Sequence, residues 1–400
     1  MQKIILGYWF LPKKLVELAF FLLLAVSLNS CSHEEDVVSS KTGITKVYKT
    51  EYSSLSGWKS DDFAKVIPVF EANCAKILQS KKEFLGDSKI KIETSAYQKV
   101  CKKFTKGIKN SVEMREFIES EFTPYAVVEG ANPVGKFTSY YEAGINASYT
   151  KTEKFKYPVY GKPNDLVEVN LRDFGTEFPN TRLVGRVENN KFVPYYNRKD
   201  IENKGINAPV LMWADDLVDV HIMQIQGSAV ANMTDGTRVR IGYADNNGHK
   251  FRGIGSIMLE KKILKAGEVS MENIRKWLKE HPARAKELME ENERFIFQRL
   301  VNASGPVGAF GLPLSAGRSI AVDNTIVPLG AMMWLDTVDA DNNKLEKIVF
   351  AQDIGSAIKG TVRGDYFWGS GEQAFLAAGR MNSVGRYYIM VPKNSVIQVN

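Results

Sequence analysis

The sequence predicts a mainly β protein with flanking helices, and three observations carry that prediction. From Tyr125 to about Tyr243, short strand-like runs alternate with Gly, Pro and Asn, the punctuation of sheets rather than of long helices. Ile348-Val349-Phe350-Ala351 is a short apolar run, as expected of a buried strand, and it ends at Gln352-Asp353. On either side of the strand-rich region lie stretches with helical spacing and recognisable start signals.

Taken in order, the first helical stretch covers Asp61 to Lys81 and is started or interrupted by Pro68. Cys74 falls on its apolar side with Phe70, Ile77 and Leu78. A second helix is expected over Ser111 to Glu121, with Phe117 and Ile118 on one side. Val167 to Leu171 and Thr237 to Tyr243 read as strands, the latter alternating as a half-buried strand should. Gln224, Gln226, Gly227 and Ser228 read as a polar, small-residue strand end. Asn247-Gly248 and Asn342-Asn343 mark tight turns. Ser270 is placed to cap a helix whose Ile274, Trp277 and Leu278 share a face. Pro282 starts another that ends near Asn292, and Arg294 to Leu300 returns to strand.

Four hundred residues suffice for two domains with substantial cores. The net charge of +7 suits an anionic partner, or reflects only solvated lysines. No basic stripe interleaved with aromatics and no helix-turn-helix or zinc pattern is visible, which argues against nucleic acid. His33, His221, His249 and His281 are scattered without ligand spacing, so no metal site is expected. No Gly-x-Ser-x-Gly elbow supports serine hydrolysis. At the N-terminus, Lys13-Lys14 precede the apolar stretch Leu18 to Leu28, typical of a signal h-region. Residues 1–30 are read as a lipoprotein signal peptide, because Leu28-Asn29-Ser30-Cys31 looks like a lipobox with Cys31 acylated; a plain signal peptide or an uncleaved anchor is the alternative. The Ser-, Glu- and Lys-rich stretch 31–45 reads as a tether. Cys74 and Cys101 then form a disulfide or remain buried thiols.

The chemistry is expected around Asp353. Gly355, Ser356 and Ala357 follow it with little bulk, so a polymer backbone can approach the carboxyl. A second acid, Asp365, stands among Tyr366, Phe367 and Trp368. Acids beside aromatics suit a sugar-binding cleft; the plainer reading is an Asp that caps a turn and aromatics that fill a core.

GRSIAVDNTIVPLG (317–330), AQDIGSAIKG (351–360) and RGDYFWGSG (363–371) together resemble the 3D domain, named for three aspartates, here Asp323, Asp353 and Asp365. FTSYYEAG (137–144), FKYPVYGKP (155–163), HIMQIQGSA (221–229) and IGYADNNGHKFRGIG (241–255) resemble the membrane-bound lytic murein transglycosylase A family. The resemblance implies a double-psi β-barrel domain, 46–142 joined to 293–400, interrupted by a smaller, mostly β domain, 143–292, with the substrate groove between them. It implies an exo-acting lytic transglycosylase, a glycan lyase without cofactor, that cuts peptidoglycan between N-acetylmuramic acid and N-acetylglucosamine and leaves 1,6-anhydro ends. Asp353 would be the catalytic acid, with a raised pKa, and Asp365 and Asp323 would support it. Hydrolytic glycosidases need two carboxyl groups roughly 5–10 Å apart, whereas an internal hydroxyl as nucleophile needs only one. Thr138, Tyr140, Gln224, Gln226, Gly227, Ser228, Gly355, Ser356 and Lys359 would meet the glycan, Thr138 and Tyr140 through sugar hydroxyls and ring stacking. Partners would be glycan strands, outer-membrane lipid through Cys31 at the periplasmic face, and a cell-wall synthesis or division complex. The rival readings are a catalytically inactive peptidoglycan-binding lipoprotein, and a hydrolytic muramidase using Asp353 with Asp365.

Overall fold

One long strand, β1 (Gly135–Ser148), belongs to two bodies of sheet and so organises the molecule. The computed structural model describes residues 43–104 and 107–400; the expected leader, Cys31 and most of the tether lie outside them. The first half of β1 joins a closed ring with β2 (Ser319–Val322), β3 (Met332–Val338), β4 (Lys344–Asp353), β5 (Arg363–Ser370) and β6 (Asn382–Pro392). Around the ring the order is β1, β5, β2, β4, β3, β6 and back to β1. The β1–β5 and β2–β4 pairs are parallel and the other four antiparallel. Closure removes the open edges of these strands, so most of their backbone polar groups are paired within the sheet.

The second half of β1, Ala143 to Ala147, runs parallel to the strand Ser228–Met233, which continues antiparallel through Arg238–Asn246 to Ile296–Val301. This gives the chain its mainly β character with helices packed outside. Trp334, Ile348, Val349 and Phe350 lie fully inside the main core, which extends to Phe63, Phe70 and Tyr97 of the N-terminal segment. Arg318 fastens that segment to the ring through two 2.7 Å bonds to Asp61.

The expected helices form where their signals stand. Pro68 lies in the first turn of Ile67–Leu78, Asn110 caps Ser111–Glu121 at 3.0 Å, and Ser270 caps Met271–Glu280 at 3.1 Å. Pro282–Glu290 follows, and the strand after it is Ile296–Val301.

One local reading is corrected. His221 to Gln226 belongs to a helix, Leu217–Gln226, and is not a strand end. Asp216 caps it at 2.8 and 3.2 Å, and Gly227, at φ +83°, stops it. Val218, Val220, His221, Ile222, Met223 and Gln224 are all buried, polar and apolar alike, so no single apolar stripe marks the 3.6-residue rhythm in the sequence. The chain bends at Asn247-Gly248, where Gly248 has φ +79°, and the bend is anchored from inside: Asn247 is fully buried and its side chain bonds Tyr196 O, Glu293 O and Phe295 N.

Cys74 and Cys101 are joined as a disulfide linking the helices Ile67–Leu78 and Thr94–Lys103. Of the two readings open in sequence, oxidation is the one the fold adopts. Replacing both cysteines with alanine should lower stability by about 2–4 kcal/mol, because the unfolded chain regains the entropy of the closed loop. Urea melts of the variant beside the parent, with and without reductant, measure this; coincident melts would show the bond to be energetically idle.

Candidate active site

The strand order assembles the acids. In the register of the ring, Ala321 on β2 faces Asp353 on β4 to one side and Asp365 on β5 to the other. Asp365 in turn faces Thr138 on β1. One row across three strand pairs therefore carries acid, alanine, acid and threonine. The small alanine leaves the floor open between the carboxyl groups, and it lines a 270 Å³ groove together with both acids.

Asp353 ends β4 and is half-buried. Its Oδ1 accepts the Ala309 N–H at 3.0 Å and its Oδ2 the Tyr140 hydroxyl at 2.8 Å. Neighbouring Gln352 is fully buried and locked between Ser319 and Asn73, so the strand end is held firmly. Below lies an apolar cluster of Tyr140, Leu314, Ala321, Ile358 and Phe367. Desolvation by this surrounding raises the Asp353 pKa to about 6. The bonds from Ala309 and Tyr140 pull against that rise, and the charge of Asp365 adds to it. Asp365 is also pushed up by desolvation, opposed by the Thr138 hydroxyl that bonds it and by the nearby Arg363.

Asp323 does a different job. Its Oδ2 accepts the Gly360 N–H at 3.0 Å, and its Oδ1 takes the Thr325 hydroxyl at 2.8 Å and Lys359 Nζ at 3.4 Å. Burial would raise its pKa, yet these donors outweigh it and hold the carboxyl below the usual range. Asp323 thereby pins the loop between Asp353 and β5, which supplies Gly355 and Ser356 to the groove.

Several expected contacts stand elsewhere. Lys359 is absent from the groove lining and is paired with Asp323. Gly227 and Ser228 turn the chain from helix into strand and do not line the groove either. Tyr140 lines the groove, but it is only 9% exposed and its ring packs at 5.1 Å on Phe367. The stacking expected of it is replaced by a grip on the acid, since the ring face is already spent. Thr138 likewise spends its hydroxyl on Asp365 and Arg363. Tyr366 and Phe367 fill the core, as the plainer reading of the aromatics had it.

The opposite wall comes from the second sheet and its helices: Gln224, Gln226, Asn292 and Arg294. Arg198, fully buried, supports this wall. It donates to Gln224 Oε1 at 2.7 Å, to the Asn292 carbonyl at 2.9 Å, to the Arg294 carbonyl at 2.6 Å and to Glu202 at 2.8 Å. Sequence reasoning missed Arg198, Phe251, Asn292, Arg294, Ile354 and Arg363, all of which line the groove. Arg363 had a signal, since two residues along a strand from Asp365 is the same face. Arg198 had none, because its partners are gathered only by folding.

Replacing Tyr140 with phenylalanine removes a donor that favours the charged Asp353. The Asp353 pKa should then rise further, moving the alkaline limb of the pH–rate profile to higher pH, while kcat falls about 10-fold or more as the acid loses its orientation. An unmoved limb would show that the hydroxyl does not act on Asp353.

Ring, second sheet and acid groove define the class: a 3D-domain protein carrying a substantial inserted domain. Residues 136–299 match the MltA specific insert domain and residues 318–391 match the 3D domain. The chain belongs to the membrane-bound lytic murein transglycosylase A family. It is 29% identical to the membrane-bound lytic murein transglycosylase A of Escherichia coli K12 over 273 residues, 66% of this chain and 68% of that one. The crystal structure of the membrane-bound lytic murein transglycosylase from Agrobacterium tumefaciens matches with a TM-score of 0.78 at 28% identity, covering 87% of this chain and 98% of that one. MltA from Neisseria gonorrhoeae in its monoclinic form matches with a TM-score of 0.75 at 32% identity, over 90% and 98%.

Proposed function

We propose that the protein is a lytic transglycosylase of peptidoglycan, cutting the β-1,4 bond between N-acetylmuramic acid and N-acetylglucosamine without water. The observation that carries this is the Asp353 carboxyl, its pKa raised to about 6, gripped by Tyr140 and Ala309 at the floor of a groove lined by both polar and apolar side chains. Protonated Asp353 gives its proton to the glycosidic oxygen as the C1–O bond breaks. The muramyl C6 hydroxyl then closes onto C1, its proton passes to the carboxylate, and a 1,6-anhydro end results. Carbonyl oxygens and dipoles of the groove, together with the newly ionised Asp353 carboxylate, stabilise the oxocarbenium-like transition state, and exposed Ile354 offers an apolar surface to a sugar face.

Asp365 does not act as a second catalytic carboxyl in this scheme. Its carboxyl is engaged by the Thr138 hydroxyl and faces the charge of Arg363, so it is held in a supporting role and not free to activate water. We read the closed ring as the double-psi barrel, 46–142 with 293–400, and 143–292 as the inserted domain. The relatives are named membrane-bound, and the Cys74–Cys101 bond fits an oxidising envelope compartment. Acylation of Cys31 would hold the enzyme at the periplasmic face of the outer membrane.

Mass spectrometry of fragments released from purified murein sacculi tests the reading. Anhydro-ended muropeptides are expected from the parent and none from Asp353→Asn. Reducing ends would make the protein a hydrolase, and bound but uncut glycan from both would leave a binding protein.

A further inference from the structure

A second and larger cavity, 580 Å³, lies on the ring domain beside the acid. Lys76, Lys82, Ala309, Phe310 and Asn324 are among its lining residues. Ala309 joins the two spaces, since its N–H binds Asp353 while it also lines the second cavity. The next residue, Phe310, donates its N–H to the Gln352 carbonyl at 2.9 Å. A two-residue segment therefore both seats the acid and walls the second cavity.

The cavity's chemistry is basic. Lys76 and Lys82 are exposed, and neither makes an ion pair among the described residues. The acid in the lining, Asp87, is already held by Lys91 at 3.2 Å. Phe310 offers little to a pyranose: Lys76 Nζ sits 5.6 Å from its ring centroid, and the ring lies so close to Gly330 that a Cβ there would meet it at 2.6 Å. Two free ammonium groups without a free aromatic face suit carboxylates better than a neutral sugar.

We infer that this cavity receives the acidic peptide stem of the substrate, its carboxylates meeting Lys76 and Lys82. The inference rests on the peptidoglycan reading above, in which the sugars are neutral and the stem carries the negative charge. An extended stem of a few residues spans roughly 10–15 Å, enough to leave a muramyl residue at Asp353 and pass Ala309 into the cavity.

Binding without cleavage separates this inference from the reading beneath it. In the Asp353→Asn protein, the affinity for muramyl oligosaccharides bearing stems is compared with that for neutral chito-oligosaccharides of the same length, which carry neither stem nor lactyl carboxylate. Stem-bearing oligomers should bind about 3- to 10-fold tighter, the scale of two exposed ion pairs. Lys76→Gln with Lys82→Gln should abolish that ratio and leave the stem-free affinity unchanged, and Lys76→Arg with Lys82→Arg should restore it. A ratio that survives the glutamine pair would overturn the inference. So would an equal loss for both ligands, which would make the cavity a sugar site. Reducing ends in the sacculus assay would instead sink the transglycosylase reading while leaving this ratio measurable.

Discussion

Replacing Asp353 with asparagine is expected to lower murein cleavage by about 10²- to 10⁴-fold, the usual contribution of a positioned acid–base group, while making the folded protein more stable at neutral pH. The second effect follows from the same environment as the first. Burial raises the folded pKa to about 6, whereas an unfolded aspartate titrates near 3.9. As pH rises from about 4 to 6, the unfolded chain gives up its proton first, so the native state is penalised, and the full penalty remains above pH 6. A rise of that size corresponds to about 3 kcal/mol, and the part of the carboxyl that faces solvent reduces this to about 1–3 kcal/mol. Asparagine removes the charge and with it the penalty. Thermal melts should show the variant roughly 2–5 °C more stable at pH 7 and level with the parent below about pH 4. Parent activity should fall as pH rises through about 6, since the acid must be protonated to act. A variant no more stable at pH 7 than the parent would mean that Asp353 is not held against its charge, and the proposed role would lose its basis.

Replacing Arg198, the first residue of the helix Arg198–Lys204, with methionine should cost about 3–5 kcal/mol. The guanidinium is buried and bonded to Glu202, Gln224 and two backbone carbonyls. Desolvation pushes its pKa down and that of Glu202 up, opposed in both cases by their attraction for each other. Without Arg198, Glu202 is a buried carboxylate with only the weaker pull of Lys286 to offset its charge. Because the Glu202 pKa is already raised, its penalty in the variant grows as pH rises towards the folded value and fades in acid. Denaturant melts at pH 5 and pH 8 should therefore show a larger deficit at pH 8. Gln224, Asn292 and Arg294 would lose their common support, so KM for glycan should rise more than kcat falls. A deficit independent of pH would show that packing, and not the stranded carboxylate, sets the cost.

Residues that sit next to their reason in the chain are legible. Asp353 ends an apolar run and is followed by small residues, so its place at a strand terminus above open space can be read directly. Ser270 and Pro282 start helices through local chemistry. The 221–226 stretch misleads because the helix is buried on several sides, with His221 and Gln224 inside beside apolar residues, so no single apolar stripe marks it. Tyr140 and Thr138 are placed in the groove by sequence, yet their hydroxyls turn inward to the acids. Side-chain alternation along one strand cannot reveal that, because the partner comes from a neighbouring strand.

By itself the sequence determined the mainly β class, the capped helices, the family, and which carboxyl stands at a strand end. These depend on short-range backbone preferences and on residues contiguous in the chain. Only the tertiary structure decided that Ala321 separates Asp353 from Asp365, that Tyr140 grips the acid, that Cys74 meets Cys101, and that Arg198 supports the far wall. Ring closure and the return of β1 into a second sheet bring together residues far apart in the chain. A carboxyl's pKa is set by whatever is packed around it in space.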